Sequence, residues 1–78
     1  MKKLNALLAK TFQVEESEIN DSTSPENTEK WDSFNTLNLI MELENEFNVQ
    51  LLFNEIVAIK CVKDIKETLL RHNVNLEE

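Results

Sequence analysis

The sequence predicts an all-α protein of four helices in one domain, residues 1–78. Three observations lead there. The chain has no glycine and one proline, Pro25, so its turns fall to Asn, Asp and Ser, and no two-residue hairpin signal is present. Apolar residues recur three and four apart, the spacing that lines one side of a helix. A chain of 78 residues buries only about 60% of its unfolded surface. That leaves little material for a deep catalytic cavity and suits a binding, carrier or regulatory module.

The first helix is expected over about 2–12. Leu4, Leu7, Leu8, Thr11 and Phe12 share one face, and lysines and Asn5 fill the other. A long connection follows, from Gln13 to Asp32. Its cluster Asn20-Asp21-Ser22-Thr23-Ser24-Pro25 breaks regular structure. Twenty residues of loop are unusual in so small a domain, so anchors are needed. Val14, Ile19 and Trp31 are the candidates, with a short helical turn near 15–19.

The second helix, about 33–47, is the most informative. At 100° per residue, Thr36, Leu39, Ile40, Leu43 and Phe47 fall on one face and are the core candidates. Asn35, Asn38, Glu42, Asn45 and Glu46 form a polar face. A third stripe holds Phe34, Leu37 and Met41, bordered by Glu44, with Ser33 on its edge. One core does not require two apolar faces. The second either meets the loop or another helix, or it is a docking patch.

Asn48 stands where a left-handed residue would end this helix. Leu51-Leu52-Phe53 is unusually apolar for a connection, so partial exposure is expected. A short third helix, about 53–60, carries Ile56 and Ile59. A fourth, about 62–72, carries Val62, Ile65 and Leu69 on one face, with Arg71 and His72 near the negative end of its dipole. Residues 73–78 are expected as a frayed tail. Cys61 reads as a half-buried or weakly capping residue, and His72 as an exposed helix-end residue.

Charge narrows the partners. Fifteen acidic residues oppose eight basic ones, a net −7, and Lys30 is the single base between Thr11 and Ile59. That acidic middle repels nucleic acid and anionic membrane surfaces and suits basic patches on protein partners. One cysteine excludes an internal disulfide. The start of the chain does not resemble a secretory signal, and no apolar run reaches the roughly 18 residues of a membrane span. A cytoplasmic monomer is expected.

Ser33 is the centre of the chemistry, although little surrounds it. The lone His72 lies far along the chain, and no nucleophile elbow frames the serine. One His and one Cys offer no zinc set, and no calcium or phosphate-binding loop is present. What remains is a helix start, with Asp32 as N-cap and Ser33 at the first helical position. Free N–H groups there favour an anion. The pair by itself reads most simply as a cap.

Glu29-Lys30-Trp31-Asp32-Ser33-Phe34, with Leu37, Leu39-Ile40, Glu42-Leu43-Glu44, Glu46-Phe47-Asn48-Val49 and Leu51, resembles the attachment region of acyl carrier proteins. Val62-Lys63-Asp64-Ile65 resembles the start of that family's last helix, and the likeness spans the chain. The resemblance implies a right-handed four-helix bundle of acyl-carrier type, with a long first loop and a short third helix. It implies that Ser33 receives 4′-phosphopantetheine from coenzyme A through a separate phosphopantetheinyl transferase. Asp32 would help position that enzyme's metal and substrate. The arm would carry acyl or aminoacyl groups as thioesters, loaded by a ligase and passed to downstream transferases. Phe34, Leu37, Met41 and Glu44 would dock those partners, and the domain itself would catalyse nothing and bind no metal.

The sequence departs from the family pattern at Phe34 for leucine, Asn35, Asn38 and Asn45 for acids, Asn48 for glycine, and Leu52 and Phe53 for polar residues. These differences point away from the general fatty acid synthase carrier and toward a specialised member in lipid or secondary-metabolite biosynthesis. The Asp-Ser-Phe-x-Thr stretch is similar also to D-alanyl carrier proteins. The alternative is a non-enzymatic acidic adaptor, or a degenerate carrier, in which Ser33 only helps to start a helix.

Overall fold

Helices form in the expected order: α1 (Lys2–Phe12), α2 (Ser33–Phe47), α3 (Phe53–Ala58) and α4 (Val62–Arg71). The computed structural model describes residues 2–74, and no strand occurs among them. No helix among the described residues is long and apolar enough to cross a membrane.

The core joins Leu4, Leu8 and Phe12 of α1, Leu39, Ile40 and Leu43 of α2, and Val62, Ile65 and Leu69 of α4. Each set follows the three-four spacing of its helix, so burial of one face per helix accounts for the arrangement. At the margins, Leu7, Phe47, Ile56 and Ile59 are only partly buried, as are Thr11 and Thr36.

The long connection is pinned by its apolar residues and by its own polar ones. Ile19 and Trp31 are buried and Val14 packs against the core. Trp31 stacks on Phe12, with ring centroids 4.8 Å apart and planes 20° from parallel. Glu16–Glu18 form the expected turn, of 3-10 type. Asn27 ties the loop across itself, accepting from the Ser24 amide and donating to the Ser22 carbonyl. The loop also completes α4. Cys61 offers no side-chain cap there. The N–H groups of Val62 and Lys63 instead donate to the carbonyls of Thr23 and Asp21, at 2.9 and 3.2 Å. Lys66 of α4 donates to the Asp21 carboxylate at 2.6 Å and holds it below the usual carboxylate range. The Thr23 and Asp21 carbonyls thus find partners in the free N–H groups at the start of α4, which satisfies both sides and ties the long connection to the fold.

Three end regions differ from expectation. α3 stops at Ala58 rather than residue 60, because Ile59 turns extended and the Lys60 amide donates to the Asp64 carboxylate at 2.8 Å. α4 stops at Arg71, with His72 as its C-cap. Asn73 is left-handed, the Val74 amide donates to the Leu69 carbonyl at 3.0 Å, and Val74 packs on the core. Residues 73 and 74 therefore close the helix rather than fray, while 75–78 lie outside the described residues. Asn48 takes the left-handed conformation expected of it at the end of α2, φ 54° and ψ 51°.

His72 is a further correction. It is half-buried rather than exposed, with Nε2 at 2.9 and 3.1 Å from the two carboxylate oxygens of Glu55. The same carboxylate accepts from the Leu52 amide at 2.9 Å and so caps α3. That backbone bond, then His72, holds Glu55 below the usual carboxylate range. Seventeen residues separate the pair, a distance over which sequence periodicity gives no sign.

Candidate functional site: the N-terminal end of α2

The chain enters α2 from a fixed point. Trp31 is locked in the core by its stacking on Phe12, and its amide donates to the Thr28 carbonyl at 3.0 Å. Asp32 is extended, and its Oδ1 accepts from the Asn35 amide at 2.8 Å. This is the N-cap that the Asp-Ser pair predicts, and it uses one of the two carboxylate oxygens. The Asp32 carbonyl accepts from the Thr36 amide and from its hydroxyl, both at 2.8 Å.

Ser33 follows at the first helical position and is exposed. Its surroundings carry the positive end of the α2 dipole, and the first turn of α2 contains no acidic residue. The arrangement accommodates a negatively charged group on the serine oxygen without displacing any core residue.

Beside Ser33 lies the second apolar stripe. Phe34 is 72% exposed, Leu37 65% and Met41 62%. Of the two readings left open by the sequence, burial under the loop or another helix is not what these side chains show: each remains mostly uncovered. Glu44 does not stand free at the end of the stripe: its Oε2 accepts from the Leu51 amide at 2.9 Å. That bond draws the α2–α3 connection against the last turns of α2. Leu52 and Phe53 emerge exposed there while Leu51 is buried. The expected partial exposure of Leu51-Leu52-Phe53 is thus divided residue by residue.

The polar face of α2 is structural in part. Lys3 of α1 pairs with Glu46 at 3.3 Å. Asn35 donates through Nδ2 to the Lys30 carbonyl at 2.6 Å, and its Oδ1 accepts from Asn38 at 3.2 Å. Sequence reading placed Asn35 on a polar face and missed this bond. The capping-box position of Asn35, three residues after an Asp N-cap, signals a side chain facing the helix start but not this bond, because in that motif the side chain accepts from the N-cap amide.

His72 and Ser33 are not brought together, since the histidine is engaged with Glu55 between α3 and α4. Cys61 is half-buried at the start of α4. No group of three or more metal-ligating side chains occurs among the described residues. The chain matches no protein-family model.

Proposed function

We propose that this chain is an acyl carrier domain of the specialised kind, with Ser33 as the attachment point for 4′-phosphopantetheine. The observation that carries the reading is the exposed Ser33 at the first position of α2, next to the exposed stripe of Phe34, Leu37 and Met41. The sequence likeness across residues 29–51 supplies the chemistry. The order of a first helix, a long loop, the serine-bearing helix, a short helix and a last helix supports a four-helix bundle of acyl-carrier type.

In the modification, the Ser33 oxygen forms a bond to the pantetheine-bearing phosphorus of coenzyme A. Adenosine 3′,5′-bisphosphate leaves, and the serine proton passes to a base on the transferase. The phosphodiester then sits at the positive end of α2, where a negative charge is favoured. Asp32 keeps the helix start in place and has a second oxygen available to the transferase's metal. The arm supplies a thiol that holds acyl or aminoacyl cargo as a thioester. Phe34, Leu37 and Met41 meet the transferase, the loading ligase and the downstream transferases, with Glu44 fixing the end of their stripe. A D-alanyl cargo is the branch to try first among aminoacyl groups. The carrier acts as a substrate for other enzymes, in the cytoplasm.

Incubation with coenzyme A and a broad-specificity phosphopantetheinyl transferase is expected to add one phosphopantetheine mass, and Ser33→Ala to take up none. Wild type left unmodified by several competent transferases would remove the reading. The Asp32 cap at 2.8 Å favours a second one, an acidic adaptor whose serine merely begins a helix. That reading expects partner binding through Phe34, Leu37 and Met41 to be identical for wild type and Ser33→Ala.

A further inference from the structure

Asn35 sits where an acid is usual in the resembled family, and on sequence alone it counts only as lost charge on a recognition face. Its hydrogen bonds say otherwise. Its backbone amide donates to Asp32 Oδ1 at 2.8 Å, its side-chain Nδ2 to the Lys30 carbonyl at 2.6 Å. Its Oδ1 accepts from Asn38 Nδ2 at 3.2 Å, which leaves the NH₂ group aimed at Lys30. One residue therefore grips the chain on both sides of Trp31, at Lys30 and at Asp32, immediately before Ser33. A carboxylate has no proton to donate to the Lys30 carbonyl and would repel it.

We propose that Asn35 is a positioning residue for the modification of Ser33: it clamps Lys30 through Asp32 against the first turn of α2, so that the Ser33 hydroxyl is presented in one orientation. This rests on the carrier reading above. A nucleophile held in one orientation reaches its reacting geometry more often than one on a loose segment. Because the Trp31 indole is anchored in the core, the bond to the Lys30 carbonyl and the Asp32 cap fix the backbone on either side of that anchor.

Asn35→Asp separates positioning from recognition, because the two predict opposite signs. It keeps the shape and adds an acid to the first turn, which suits the helix dipole and a basic partner. As a mere recognition residue, it would raise kcat/KM. As a clamp, losing the bond to Lys30 lowers kcat for transfer roughly fivefold, the equivalent of one hydrogen bond, with KM unchanged or lower. The Trp31 amide exchanges faster by a similar factor, while the urea midpoint and the exchange of the Leu8 and Leu69 amides stay near wild type. Asn38→Ala, which releases only the orienting bond, shows the same pattern at smaller size. Equal or higher kcat together with unchanged Trp31 exchange in Asn35→Asp would overturn the proposal. Failure of wild type to be modified would instead remove the carrier reading. The Trp31 exchange still tests the clamp in that case, because it is measured on the unmodified protein.

Discussion

α2 has two apolar faces of similar composition and opposite fate. Leu39, Ile40 and Leu43 are buried in one core with residues of α1 and α4, while Phe34, Leu37 and Met41 lie open to solvent. The same kind of side chain therefore serves two ends. Inner residues stabilise the fold through burial, at about 25 cal/mol per Å² of apolar surface. Outer residues are each at least 62% exposed, and a run of large apolar side chains along one face is the kind of surface that partners use. The outer face begins beside Ser33, and the inner one runs beneath it. The helix that builds the core also displays the site.

Substitutions along α2 sharpen this contrast. The largest effect is expected for Leu43→Ala, a fully buried truncation costing about 2–5 kcal/mol, read from the urea midpoint. Comparable stability after that change would mean that the inner face is not the core. Asp32→Ala, at the junction of the two faces, is expected to cost about 1 kcal/mol through loss of the N-cap, again by urea unfolding. If the carrier reading holds, the same variant also slows transfer to Ser33. Met41→Ser on the outer face is expected to stay within about 0.5 kcal/mol of wild type. A larger loss would show that the stripe is covered in solution.

Acid offers a second contrast, between the α4 end held by Glu55 and the loop held by Asp21. Both carboxyls titrate below their ordinary value in the fold, Asp21 through the hydrogen bond from Lys66 and Glu55 through the Leu52 amide and then His72. The unfolded chain binds more protons over that window. The contribution is therefore complete above the ordinary carboxylate values and fades as pH falls through the lowered ones. Glu55→Gln and Asp21→Asn should each flatten the acid limb of the urea midpoint plotted against pH below about 4.5. An unchanged limb in both variants would show that these contacts do not persist in solution. Because the Asp21 carboxylate is largely exposed while that of Glu55 is mostly covered, the Asp21 effect is expected to be the smallest of the series.

Much of the fold was legible because it follows from local rules. The three-four spacing located α1, α2 and α4 and the buried faces of each. The Asp-Ser pair located the start of α2, and Asn48 its end. That Ser33 lies on the edge of the Phe34, Leu37 and Met41 stripe also followed from angular position on a single helix, but the exposure of the stripe did not. The sequence misjudged what depends on residues far apart. His72 was expected at the surface because nothing within a few residues engages it, yet Glu55, seventeen residues away, does. Asn35 was grouped with a polar face because a wheel projection shows direction and not partners.

By itself the sequence determined an all-helical chain, the faces of its helices, the cap at Asp32 and the position of Ser33. Each of these is set by neighbours within one or two helical turns. Only the tertiary structure decided that the second apolar face of α2 stays open, because the loop and the other described helices leave most of Phe34, Leu37 and Met41 uncovered. It also decided that loop carbonyls of Asp21 and Thr23 cap α4, that Glu55 bridges α3 and His72, and that Asn35 grips Lys30. A hydrogen bond depends on distance and angle between two groups, and periodicity along one chain specifies neither for groups brought together by folding.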